Sequence, residues 1–168
     1  RRRYGPPGGG GWLSWTDGQD WQRTVYGPYC KTPDGLKNGT MYQIFPDRFC
    51  EGKPDKVMPF ADRIYRADKT GEPYFWPTEQ SEGYLNMDYY GGDFAGIQQK
   101  LPYLRDLGVT CIYLHPIFAA HANHRHNTAD YLQADPLPGP HQEFSAPCAA
   151  AAHTGLRPIP GGAVTPTG

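Results

Sequence analysis

Between Asp93 and Gly108 the apolar residues Phe94, Ile97, Leu101, Leu104 and Leu107 recur at spacings of three and four, the period that gives a helix one apolar stripe. Asp93 stands where an N-cap carboxylate accepts the first free amides, and Gly108 where a left-handed residue closes the last turn. Pro102 lies inside this stretch and predicts a kink. Two short, dense apolar runs flank the helix, Met41 to Pro46 and Val109 to Leu114. Neither alternates, which is the pattern of parallel strands buried on both faces. The chain therefore predicts strand, helix and strand, with a very long first connection. Residues 50–90 are polar and broken by Gly52, Pro54, Pro59, Gly71, Pro73 and Pro77, and long loops inside a domain are often functional.

The two ends read differently. Residues 1–11 hold five Gly and two Pro and offer nothing to pack. Trp21, Arg23 and Val25 alternate with Gln22, Thr24 and Tyr26, predicting a short strand. After Asp135-Pro136 the last 33 residues hold seven Pro and five Gly, with Glu143 and Arg157 as their charged residues. A helix is expected from Phe144 to His153, damaged by Pro147. Leu156 to Pro160 takes the place of a third strand, but Pro158 and Pro160 argue against a central one.

Composition narrows the function. No apolar run reaches the roughly 18 residues of a membrane span, and no secretory leader is visible. The net charge of −1 gives no support to nucleic-acid or membrane binding. Arg1-Arg2-Arg3 reads as a solvated end. Cys30, Cys50, Cys111 and Cys148 form no C-x-x-C pair, so a zinc ribbon or redox motif is not expected. Scattered single cysteines suit a reducing compartment, and a cytoplasmic setting is the expectation, with secretion left open. The hydrophobic share is 38% and the aromatic share 14%, so a core would lean on Tyr, Trp and Phe.

The candidate chemistry sits after the second strand. His121, His124 and His126 fall within six residues, with Asp130 following; a zinc site is one reading of that spacing, and a polar loop is the other. The segment Asn123 to Tyr131 follows strand Val109–Leu114 through Pro116-Ile117-Phe118. Loops at the C-terminal ends of barrel strands build active sites, and amides, imidazoles and a carboxylate suit sugar hydroxyls, which both donate and accept. Asp47 and Arg48, just past the first strand, read as an ion pair or as part of a site rim. Gly91-Gly92-Asp93 reads as a tight turn plus cap; its carboxylate and carbonyls make calcium a candidate ion. No two carboxylates are placed as a glycosidase pair, and no G-x-S-x-G is present.

The segment Met41-Tyr42-Gln43-Ile44-Phe45-Pro46-Asp47-Arg48-Phe49 resembles the first barrel strand of glycoside hydrolase family 13, the α-amylase family, in its neopullulanase, cyclomaltodextrinase and amylopullulanase branch. A longer match runs from Tyr90-Gly91-Gly92-Asp93-Phe94 through Leu101-Pro102-Tyr103-Leu104, Leu107-Gly108-Val109, Pro116-Ile117-Phe118 and Asn123-His124-Arg125 to Asn127-Thr128-Ala129-Asp130-Tyr131 and Asp135-Pro136. Trp21 to Pro33 is more weakly similar to the linker before the barrel.

The resemblance implies an α/β fold: the first two to three βα units of a (β/α)8 TIM barrel at residues 39–168, preceded at 1–38 by the end of a β-sandwich domain and a linker. It implies retaining hydrolysis of α-1,4, and in this branch some α-1,6, glucosidic bonds in maltooligosaccharides, cyclodextrins or pullulan. The catalytic trio of the family lies on strands four, five and seven, so no catalytic residue is expected here. Asn123, His124, His126 and Asp130 become candidate substrate contacts, the partner being an α-glucan. Gly91 and Asp93 match a calcium site of some members. That site also uses an Asn/Asp-rich loop, which here reads Glu51-Gly52-Lys53-Pro54-Asp55-Lys56; Lys53 puts a cation where an anion belongs.

Other departures stand out. His126 replaces a usual Tyr that stacks on sugar, Gly35 a usual Trp, and His115 a usual Asn. In the tail, Gly161, Thr165 and Pro166 stand for the Asp, Asn and His of the third-strand signature; sequence error or decay is the expected cause, with real divergence as the alternative. With two open strand edges, the isolated chain is expected to fold poorly and not to catalyse. A non-catalytic carbohydrate-binding remnant and a His-cluster metal site are the rival readings; oligomerisation of the parent protein stays open.

Overall fold

A computed structural model describes residues 3–4, 13–14, 25, 27–29, 31–56 and 60–162. The chain divides into two units, Arg1–Thr32 and Pro33–Gly168. In the first, strands β1 (Arg3–Tyr4) and β2 (Leu13–Ser14) pair antiparallel. The strand expected at Trp21–Tyr26 falls, apart from Val25, outside the described residues.

The second unit opens with a short 3-10 turn, Asp34–Leu36, and strand β3, Met41–Ile44. Pro46 then starts the one-turn helix α1, Pro46–Phe49, where its missing amide costs nothing. The long connection carries one small parallel pair, β4 (Ile64–Tyr65) with β5 (Asp88–Tyr89). There follow helix α2 (Phe94–Asp106), strand β6 (Cys111–Leu114), the bulged antiparallel pair β7 (Phe118–Ala120) and β8 (Thr128–Ala134), helix α3 (His141–His153) and strand β9 (Arg157–Pro160).

Strands β3, β6 and β9 form a parallel sheet with β6 in the centre. Met41 aligns with Cys111 and Ile44 with Leu114; Cys111 aligns with Arg157 and Leu114 with Pro160. Helices α2 and α3 pack against each other, and their apolar sides close on the sheet. Ile44, Phe94, Ile97, Leu101, Leu104, Val109, Ile112, Leu114, Ile117, Ala151 and Leu156 form the core. Leu107, expected in the apolar stripe, is instead exposed, because the stripe ends at the cap. Gly108 takes φ +85 there, as expected.

Two proline expectations are corrected, those at Pro147 and at Pro158 with Pro160. Helix α2 continues through Pro102; Pro102 and Gln98, whose carbonyl loses its donor, are both exposed, so that oxygen is open to solvent. Helix α3 begins at His141, earlier than expected, and continues through Pro147, whose ring is buried between α2, α3 and the sheet. Residues 157–160 do form a strand. The amides of Arg157 and Gly161 donate to Thr110 and Leu114 of the β6 side at 3.1 and 2.8 Å. By the alternation of a parallel ladder, Pro158 and Pro160 then face away from β6, so their missing amides take nothing from the β6–β9 ladder. The loop expected after β6 is partly the β7–β8 hairpin.

Candidate functional site

The C-terminal end of β3 and the β7–β8 turn that follows β6 face the long connection across an open cleft. Phe45 and Arg48 enter it from the end of β3 and from α1, Asn86 and Tyr90 from either side of β5, and Asn123 and His124 from the β7–β8 turn. Lys69 adds a cation to the rim. The wall thus offers aromatic faces and several groups able to bond hydroxyls.

Buried Asp88 organises this wall. Its carboxylate accepts from Arg48 at 3.1 Å, from the Tyr74 amide at 3.1 Å and from the Asn123 side-chain amide at 3.2 Å. The Asn123 amide also donates to the Asp88 carbonyl at 2.8 Å, and its backbone amide donates to Asn86. Asn123 is 2% exposed, so its polar atoms fix the turn on the β5 segment. Arg125, at φ 59 and 1% exposed, bonds the Asn123 carbonyl at 2.8 Å and Asp135 at 3.3 Å. Arg48 also lies 3.9 Å from the centre of the Tyr90 ring, holding that aromatic face at the cleft.

The histidines separate into two places. His121 turns away to Asp62 at 2.6 Å and packs edge-on to Tyr84. His124 and His126 stay together, and His115 joins them: His126 has ring centroids 5.3 Å from both His115 and His124. Nδ1 of His124 accepts from the His126 backbone amide at 3.1 Å. Burial pushes His115 and His124 below the ordinary imidazole value; His126 adds to both, with His124 and Arg125 completing the respective shifts. The zinc reading of His121, His124 and His126 is thereby overturned. Among the described residues no group of three or more His, Cys, Asp or Glu is placed to hold a metal ion. Asp130 sits on β8, where its carboxylate accepts from the Leu132 amide at 2.8 Å, and it does not line the cleft.

Asp47 lies beneath Tyr90 and Gly91, accepting both amides at 3.1 and 3.2 Å, with Arg48 Nε at 3.4 Å. Gly91 takes φ +82, and Asp93 caps α2 through the Gly96 amide at 2.6 Å, as the turn-plus-cap reading expects. The same carboxylate accepts the Gly52 and Lys53 amides at 3.0 Å each. Lys56, not Lys53, supplies the local cation: its ammonium lies 2.5 Å from Asp93 and also donates to the Gly91 carbonyl. Lys53 reaches Glu143 at 2.6 Å instead. Calcium therefore does not fit Gly91 and Asp93 as they stand.

Two family departures also have a local account. The Arg157 guanidinium occupies the space above Gly35, where a Cβ would stand 0.7 Å from it. Gly161 has no room for a Cβ, which would lie 2.4 Å from the Leu114 carbonyl oxygen. Thr165 and Pro166 lie outside the described residues.

Two parallel βα crossovers ending in a cleft match a known catalytic fold. The family model of the alpha amylase catalytic domain covers residues 43–160. The chain belongs to the alpha-amylase family. It is 38% identical over 150 residues to amylopullulanase of Thermoanaerobacterium saccharolyticum, covering 82% of this chain and 12% of that enzyme. It is 42% identical over 106 residues to cyclomaltodextrinase of Geobacillus thermopakistaniensis, covering 63% of this chain and 16% of that one. Among solved structures, the type III pullulan hydrolase from Thermococcus kodakarensis superposes with a TM-score of 0.58 at 34% identity, over 75% of this chain and 23% of that chain. The chain thus spans about a tenth of the amylopullulanases it matches. This alpha-amylase-family segment carries the first βα units of a (β/α)8 barrel.

The sequence pointed to Asn123, His124 and His126 but not to Asp88, Asn86 or Lys69. These three lie in the irregular residues 50–90, and nothing local marks them, since their role comes from long-range contact.

Proposed function

We propose that this segment forms the substrate-facing start of a retaining α-glucan hydrolase barrel. The observation that carries this reading is the cleft of Phe45, Tyr90, Asn86 and His124 at the C-terminal strand ends, the end at which barrel enzymes place their chemistry. Tyr90 and Phe45 offer ring faces to a pyranose, and His124, whose Nδ1 already accepts from the His126 amide, offers its Nε2–H as a donor to a hydroxyl. Asn123 and Asp88 hold the turn that presents His124. His126, exposed beside it, is the ring for stacking where the family uses Tyr. The two-step chemistry belongs to carboxylates on later strands, and residues 1–168 position sugar without cleaving it. The segment before residue 39 is the approach from a preceding β domain.

The test is titration with maltoheptaose, followed by tyrosine and tryptophan fluorescence, alongside a reducing-sugar assay on pullulan and starch. Saturable binding that weakens in His124→Ala, with no hydrolysis, is the expected result. No binding at millimolar maltoheptaose overturns the placement of the sugar. Coding sequence beyond codon 168 is expected to supply an Asp, a Glu and an Asp at three further strand ends; their lack favours the binding-only remnant.

A further inference from the structure

The family resemblance brings calcium to this chain through Gly91 and Asp93, and the structure puts an ammonium on both. Lys56 Nζ lies 2.5 Å from Asp93 Oδ2 and donates to the Gly91 carbonyl. The Lys56 side chain is 18% exposed and that of Asp93 2%, so the pair is shielded from water. The other acceptor sites of Asp93 are taken by the amides of Gly52, Lys53 and Gly96, which with Lys56 makes four donors on a carboxylate with about four lone-pair sites. The next acid, Glu51, is also answered from within: Tyr65 donates to Oε1 and Lys69 stands 3.3 Å from Oε2. Calcium gathers roughly six to eight oxygens and favours several free carboxylates. Neither Asp93 nor Glu51 is free for it.

We propose that Lys56 is the resident cation of this junction, holding the loop after β3 onto the turn and the first turn of α2 in place of a divalent metal, so that this part of the fold is independent of calcium. One ammonium suffices because only one carboxylate remains to be neutralised. It reaches three segments at once: the loop through its own backbone, the turn through Gly91, and the helix through Asp93. The proposal stands on these contacts alone and does not depend on what the cleft binds.

The same contacts define the reverse substitution. Lys56→Asp removes the ammonium and adds an oxygen ligand beside Gly91 and Asp93, and is expected to create a calcium requirement. Lys56→Met removes the cation and adds nothing.

The test reads amide hydrogen exchange at Gly52, Lys53 and Gly96 in EDTA and in calcium, and terbium luminescence sensitised by the neighbouring Tyr65. In the 168-residue chain the three amides are expected to be protected equally in both media, with no saturable terbium signal. Protection that rises with calcium, or a saturable terbium signal, overturns the proposal. So does a lack of protection in both media, since Lys56 then does not hold the junction. Lys56→Met is expected to exchange at these amides about tenfold faster, with no recovery in calcium; exchange as slow as in the parent chain overturns the proposal. Lys56→Asp is expected to recover protection in calcium and to bind terbium saturably. If calcium restores it no better than Lys56→Met, the cation position is wrongly assigned.

Discussion

The amide of Gly161 donates to the Leu114 carbonyl oxygen at 2.8 Å, and a Cβ on Gly161 would stand 2.4 Å from that same oxygen. The Tyr113 hydroxyl would lie 2.8 Å from it as well. The bond that fastens the end of β9 to β6 therefore excludes a side chain at its donor. Gly161→Asp, which places the family's residue there, is expected to lower stability by about 1–3 kcal/mol through overpacking. The denaturant midpoint measures this, and an unchanged midpoint would show that β9 pairs in another register.

Asp88, buried behind the cleft, ties together several of the residues around it. It faces Arg48 at 3.1 Å and Arg66 at 3.9 Å while accepting from Tyr74 and Asn123. Asp88→Ala leaves two cations without their shared anion, and breaking a buried pair costs about 3–5 kcal/mol. Asn123→Ala leaves the charges matched and removes only the tie to the turn, expected at about 1–3 kcal/mol. Equal losses in the two variants would mean that Asp88 acts through Asn123 alone.

How much of this was legible depended on how local each cause is. The stripe of α2, its Asp93 cap and its Gly108 stop were readable because each is set within a few residues. Strand β9 was misjudged because a proline's effect depends on which side of the strand carries the neighbour, and only pairing decides that. The role of Lys56 was assigned to Lys53: both lie in one short loop, and their partners, Asp93 and Glu143, are far away in sequence. The family motifs pointed to the β7–β8 turn, but not to the departure of His121 from the cluster for Asp62.

Acid should loosen the site before it reaches the carboxylates. His115 and His124 are held below the ordinary value of 6.5 by burial and by neighbouring imidazoles. The unfolded chain therefore takes up protons that the folded chain resists. The stability this represents is fully present above pH 6.5 and is lost as pH falls through the lowered folded values. Chemical denaturation from pH 8 to pH 5 is expected to show falling stability, and His115→Asn with His124→Asn to flatten it. A slope unchanged in the double variant would assign the effect elsewhere.

Restoring the donors of β9 is expected to change how the chain associates. Pro158 and Pro160 face the edge away from β6, while Arg157 and Gly161 donate towards it. An edge without donors cannot template a further strand fully, which is how proline blunts sheet edges. Pro158→Val with Pro160→Leu supplies two edge amides and two β-forming side chains, and leaves the β6 ladder untouched. The double variant is expected to sediment as dimers or larger species at concentrations where the parent chain sediments more slowly, and its helix signal should be unchanged. Identical sedimentation of the two chains would show that the prolines do not guard that edge. The prolines then serve only to end the strand, and the block to association lies elsewhere in the chain.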